Sequence, residues 1–189
     1  KEEEYIHLDI LFEENQYQNI IEIPIQSKFI PTTTKSVLVK VPSIEDLLGD
    51  KLTAFASYTT GIPYFKKEDS MSMEIIKQLY DIDTLFDRVN NLKTVKNTFS
   101  QFAKTELAYR NKSKTTEDVI EDIYQTALCI VTRGAGGNGN FEELKEGIKR
   151  ISGFIFSESY HIEKAIISAS KAAYLATLMS HNEFVIEKF

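Results

Sequence analysis

Lys51 stands among Leu47, Leu48, Leu52 and Phe55 in the segment Pro42-Ser43-Ile44-Glu45-Asp46-Leu47-Leu48-Gly49-Asp50-Lys51-Leu52-Thr53-Ala54-Phe55, where apolar residues recur at helical spacing. Residues three and four apart share a helix face, so its side chain points along the apolar stripe. A buried ammonium with no counter-charge gives up its proton, whereas one that meets a carboxylate or a phosphate stays charged and holds the anion. The plainer alternative is a lysine whose stem covers the stripe while its head reaches water. The next helical segment, Lys77-Gln78-Leu79-Tyr80-Asp81-Ile82-Asp83, carries Asp81 and Asp83 on opposite flanks of a stripe made by Ile75, Leu79, Ile82 and Phe86. If the two helices pack, either acid can reach Lys51 and hold it beside a phosphate pocket. Otherwise the acids belong to a solvated helix face.

A third carboxylate, Asp9, interrupts the strand-like run Ile6-His7-Leu8-Asp9-Ile10-Leu11. Alternation puts it on one face with His7 and Leu11, where it either faces solvent or serves as a strand-borne oxygen ligand for a hard cation such as Mg²⁺. The loop Tyr58-Thr59-Thr60-Gly61-Ile62-Pro63-Tyr64-Phe65-Lys66-Lys67 combines aromatics, hydroxyls and two lysines, which suits either RNA contact or a packed connector. Gly134-Ala135-Gly136-Gly137-Asn138-Gly139 satisfies G-x-G-x-x-G, but a dinucleotide site needs a strand before it. Here a helix precedes it, so the run reads as a flexible link. Cys129 lies in the apolar run Ala127-Leu128-Cys129-Ile130-Val131 and is assigned to packing; His7, His161 and His181 have neither metal-ligand nor triad spacing.

These residues need a scaffold, and the periodicity supplies one. Tyr5 to Phe12, Asn19 to Ile25 and Ser36 to Val41 read as three strands. From Ser43 onward the pattern turns helical, over about 43–58, 70–89, 92–109, 115–132, 141–155 and 158–180. Ser43 is the N-cap of the first helix, with Asp46 three residues on in a variant capping box. The expectation is an α+β chain in which a small sheet (1–42) precedes a helical bundle (43–189). With 22 basic and 28 acidic residues the net charge is −6, which excludes broad nonspecific nucleic-acid binding and leaves room for a local basic site. One cysteine, no apolar run of membrane-spanning length and an acidic start point to a cytoplasmic protein with no membrane contact.

Taken in order, Leu8-Asp9-Ile10 on a strand, Glu45 to Ala54 on a helix and Lys77 to Ile82 on the next resemble the AbiEii/AbiGii-type nucleotidyltransferase toxins, a branch of the DNA polymerase β-like superfamily. The helix of Lys51 looks like that family's lysine motif. Lys77 to Ile82 is similar to its Arg-Asp-Leu-Tyr-Asp-Leu segment, and the helix from Glu163 to Leu175 is similar to its C-terminal region. Lys77 and Gln78 replace the family's Arg and Asp, which leaves Asp81 as the acid to carry over. The family's upstream Gly-Ser motif and its pair of metal-binding acids have no counterpart here, so the chain is expected to be a fragment, inactive alone.

The resemblance implies transfer of a nucleotide from an NTP to an acceptor, RNA and tRNA in particular, with Mg²⁺ as cofactor. Lys51 would contact the triphosphate, Asp81 would orient Lys51 or the acceptor hydroxyl, and Asp9 would be a metal ligand. It also implies a cognate antitoxin. Two other readings compete: a non-catalytic helical interaction module whose charges serve packing, and a nucleotide-binding protein that uses the glycine run.

Overall fold

The computed structural model describes residues 10, 12, 14–26, 37–110 and 113–188. Its elements are β1 (Ile20–Pro24), β2 (Leu38–Pro42), α1 (Ile44–Phe55), β3 (Phe65–Lys66), β4 (Asp69–Ser70), α2 (Ser72–Phe86), α3 (Leu92–Tyr109), α4 (Thr116–Val131), α5 (Phe141–Ile151) and α6 (Ile162–Ser180). The chain is α+β, as its patterning predicts. β1 and β2 form an antiparallel ribbon running from Ile20 opposite Pro42 to Pro24 opposite Leu38. Among the described residues the ribbon has two strands, and Ile20, Ile21 and Ile23 are all exposed. Most of the strand expected at Tyr5 to Phe12 lies outside the described residues.

Ser43 joins the ribbon to the bundle. Its backbone N–H donates to the Asn19 carbonyl at 2.9 Å, and its hydroxyl accepts from the Asp46 N–H at 3.1 Å. That cap starts α1, which packs between α2 and α3, while α2 also meets α5 and α6, and α4 runs along α6. Leu48, Leu52 and Phe55 of α1, Ile75, Leu79, Ile82 and Phe86 of α2, and Val95 and Phe99 of α3 are fully buried in one core. Gly49 interrupts the helix-forming sequence for a packing reason. A Cβ there would lie 2.7 Å from the Val95 carbonyl oxygen and 2.8 Å from the Phe99 nitrogen, so α1 and α3 meet backbone to backbone.

Two helices end on ammonium groups supplied from a distance. Neither α2 nor α6 has a basic residue in its last turn. Lys96 of α3 donates to the Met179 carbonyl and to Asn182 Oδ1, both at 2.6 Å, and Lys188 donates to the carbonyls of Phe86 and Val89. Cations at these ends satisfy orphan carbonyls and oppose the helix dipole.

The hairpin β3–β4 was not legible in the periodicity, because two residues per strand leave no pattern. The glycine run is a close-packed turn rather than a loose link. Gly134 N–H donates to the Cys129 carbonyl at 2.8 Å and Asn138 N–H to the Gln125 carbonyl at 3.2 Å. Gly137 has a φ of 79°, and a Cβ there would lie 2.4 Å from the Cys129 nitrogen. Among the described residues no helix is long and apolar enough to cross a membrane.

Candidate functional site

The packing of α1 against α2 brings Lys51 to Asp81, with Nζ 2.8 Å from Oδ2 and side chains 29% and 42% exposed. The cation therefore lies at the edge of the core, its stem against apolar neighbours and its head at the surface. Asp83, on the other flank of α2, turns to α6, where Lys171 donates to it at 2.5 Å and Ser168 at 2.9 Å. Lys171 also contacts Asp87 at 2.8 Å and is almost completely buried. Burial alone would lower the Lys171 pKa, but its two carboxylate partners outweigh that and hold it above the ordinary lysine value. One helix thus carries two lysine–carboxylate contacts of different kinds: a half-exposed pair at Asp81 and, at Asp83, a more deeply buried one.

Asp50, the neighbour of Lys51, turns instead into a cleft of about 630 Å³ bordered by Tyr17, Thr53, Thr60, Glu106 and Arg110. The Tyr17 hydroxyl donates to Asp50 Oδ2 at 3.1 Å, and its ring lies against Phe102 with centroids 5.1 Å apart. Burial pushes the Asp50 carboxyl up, and nearby Glu106 adds to this, while the Tyr17 hydrogen bond and the charge of Lys51 oppose it. Burial and the adjacent carboxylates push the Tyr17 phenol up to about 12. Sequence reading missed Asp50 because an acid one residue from the apolar stripe looks like ordinary helix surface. Its position beside Lys51 in the motif was the available signal.

Two further acids position the site's framework: Asp46, offered by the sequence only as a capping residue, and Asp122, which it did not mark. Asp46 is fully buried and does not close the capping box expected of it, because the Ser43 backbone N–H is taken by the Asn19 carbonyl. Its carboxylate accepts from Ser43 Oγ and Thr98 Oγ1 at 2.6 Å each, from Gln18 N–H at 2.8 Å and from Asn19 N–H at 3.0 Å. Burial would raise its pKa, but these four donors outweigh burial and hold it below the usual carboxylate value. Asp46 thereby ties the ribbon, α1 and α3 together. Asp122 of α4 does the same for the segment after α1, accepting from the N–H groups of Tyr58 and Thr59 at 2.9 and 2.8 Å and from Thr59 Oγ1 at 2.8 Å. Burial pushes the Asp122 carboxyl up despite these bonds.

The connector reading of the Tyr58 to Lys67 loop holds for its first half, where Thr59 and Thr60 are buried and Thr60 Oγ1 donates to the Thr53 carbonyl at 3.0 Å. Tyr58 and Pro63 are exposed, as is the tip with Phe65, Lys66 and Lys67. Cys129 is buried in α4, and burial pushes its thiol up, which fits packing rather than nucleophilic use. The glycine run follows α4 directly and lacks the strand a dinucleotide site requires. A larger hollow of about 770 Å³ lies between α5 and α6, remote from Lys51. Its cations Arg133, Lys145 and Lys149 are already paired with Glu163, Glu142 and Glu146. Asp9 lies outside the described residues. Among the described residues no group of three or more His, Cys, Asp or Glu side chains could hold a metal ion.

An α+β chain whose first bundle helix carries a surface lysine paired with an acid of the second is the arrangement that the resemblance to the nucleotidyltransferase toxins implies. Comparison with protein families points the same way: the profile described as "Nucleotidyl transferase AbiEii toxin, Type IV TA system" matches residues 1–129. The chain belongs to this family of nucleotidyltransferase toxins of type IV toxin–antitoxin systems. The matched stretch includes Lys51, Asp81 and Asp9 and ends within α4, before α5 and α6. Comparisons with curated proteins and with solved structures return no match.

Proposed function

We propose that the protein transfers a nucleotide from an NTP to an RNA acceptor, tRNA being the expected class, and that Lys51 and Asp81 are its catalytic pair. The observation that supports this reading most is the 2.8 Å contact between two half-exposed side chains on adjacent helices, within the stretch that matches a nucleotidyltransferase family. A lysine so placed has one carboxylate ion-pair partner among the described residues and still faces solvent, so an incoming triphosphate can take up the cation. The chemistry asks little covalent work of the protein: positioning of the polyphosphate and stabilisation of charge on the leaving pyrophosphate carry most of the rate. Lys51 contacts the triphosphate, and Asp81, released in part from its lysine, orients the acceptor hydroxyl.

Mg²⁺ belongs to this reading, with Asp9 as a ligand, and would neutralise the triphosphate when bound. The described residues add no further carboxylates to a metal site, so the roles assigned here are those of Lys51 and Asp81 alone. A cognate antitoxin is the expected partner, and the cytoplasm the expected compartment.

The test uses the longest natural form of the protein with labelled NTPs, Mg²⁺ and total RNA. Labelled RNA is expected with the wild type and none with Lys51→Ala. Labelling that survives this change would remove Lys51 from the chemistry even though the family assignment stands.

A further inference from the structure

The basic residues are unevenly distributed along the chain. Residues 91–114 hold six of them (Lys93, Lys96, Lys104, Arg110, Lys112 and Lys114) and one acid, Glu106, in a chain whose net charge is −6. The rest of the chain is therefore markedly acidic. Lys93, Lys96 and Lys104 lie on α3, and Arg110 is its C-cap.

The inner face of α3 is committed to the core and to α1. Its outer face presents Lys93, Asn97, Gln101 and Lys104, all exposed and spaced four, four and three residues apart, in one stripe about 16 Å long. Lys93 and Lys104 make no hydrogen bond or ion pair among the described residues, unlike Lys96, which caps α6, or Arg110, which pairs with Glu106 at 3.3 Å. Every side chain of the stripe is a hydrogen-bond donor, none is acidic and none is apolar. At its C-terminal end Tyr109 stands 68% exposed, next to Arg110. Arg110 and Glu106 border the cleft that holds Asp50.

We infer that this stripe of α3 is a docking surface for the sugar-phosphate backbone of the RNA acceptor, an inference that rests on the function proposed above. Charge complementarity favours it, since a free cation at each end of a neutral donor row matches a row of phosphates. A protein partner would instead call for an apolar centre, and interface cores are depleted in lysine. Tyr109 offers a face for a base to stack on at the point where the strand turns into the cleft beside α1. Net acidity elsewhere repels RNA and favours docking at this face.

The experiment measures binding of a fluorescent RNA hairpin with a single-stranded 3′ end by anisotropy, at several KCl concentrations. The variants are Lys93→Ala/Lys104→Ala and, as a control, Lys145→Ala/Lys149→Ala on α5, where each lysine has its own acid. Loss of two phosphate contacts should flatten the slope of log K against log[KCl] by about 1.4 to 1.8 and weaken binding at 0.1 M salt by more than about tenfold. The α5 control should keep the wild-type slope. An unchanged slope in the α3 variant, equal loss in the control, or tighter binding of a DNA duplex than of the RNA would each overturn the inference, as would loss of an antitoxin protein's binding with RNA binding intact. Lys51→Met separates the two proposals: full RNA affinity with no transfer supports both. Wild-type protein that binds RNA through α3 but labels none of it would sink only the transferase reading.

Discussion

Replacing Lys51 by methionine keeps its apolar stem and deletes its charge, and the same change at Lys171 provides the internal standard. At 2.8 Å the Lys51–Asp81 pair gains about 1.5 kcal/mol of Coulomb energy in water. The two side chains are 29% and 42% exposed, so ordering entropy and screening reduce the net value to about 0–1 kcal/mol. For a chain of 189 residues that is a fall in Tm of no more than about 4 °C. Lys171 is different, since its side chain is 7% exposed and its loss strands the Asp83 carboxylate, itself only 15% exposed. That change should cost about 3–5 kcal/mol, on the order of 6–20 °C. If Lys51 serves a triphosphate, its removal should lower transfer by about 10²–10³-fold, while Lys171→Met leaves the rate per folded molecule near the wild type. The assays are thermal unfolding by circular dichroism and incorporation of labelled nucleotide into RNA. A Lys51→Met protein destabilised as much as Lys171→Met, or one that transfers at the wild-type rate, would refute the argument and favour a helical module whose charges serve packing.

Asp46→Asn should cost about 3 kcal/mol at neutral pH in urea unfolding, because an amide cannot accept from all the donors that converge on the carboxylate. The sign of its pH dependence follows from a folded pKa below the ordinary 3.8: the wild-type advantage is complete above that value and disappears as pH falls through the lower folded one. A wild-type advantage that persisted unchanged into strong acid would contradict the hydrogen-bond account. Gly49→Ala, helix-favouring on propensity alone, should instead destabilise by about 2 kcal/mol or more, since its Cβ would meet the Val95 carbonyl and the Phe99 nitrogen. A gain in Tm would mean that α1 and α3 can part freely. Asp122→Ala should speed protease cleavage near Tyr58 and Thr59, which lose a shared acceptor, and an unchanged cleavage rate would show the segment is held by other contacts.

Local patterning was enough to mark the helices, two of the strands and the lysine–acid pairing as a candidate. Helical periodicity is a short-range property, and Ser43 with Asp46 announces the start of α1 within four residues. Lys51 was legible because a charge in an apolar stripe violates the pattern around it, and violations of this kind mark functional or paired groups. The residue type and spacing at Asp81 and Asp83 left both as partners. They lie on opposite flanks of one helix, and only the placement of α1 on one side and α6 on the other assigns Asp81 to Lys51 and Asp83 to Lys171. The long-range partners of Asp46, and the roles of Asp50 and Asp122, were hidden for the same reason. Nothing near an aspartate in sequence says whether it faces water or four donors brought from other elements, since that depends on contacts between residues up to 64 positions apart. Lys93 and Lys104, which make no ion pair among the described residues, follow the same logic, because freedom from an ion pair is a property of neighbours that only the folded chain supplies.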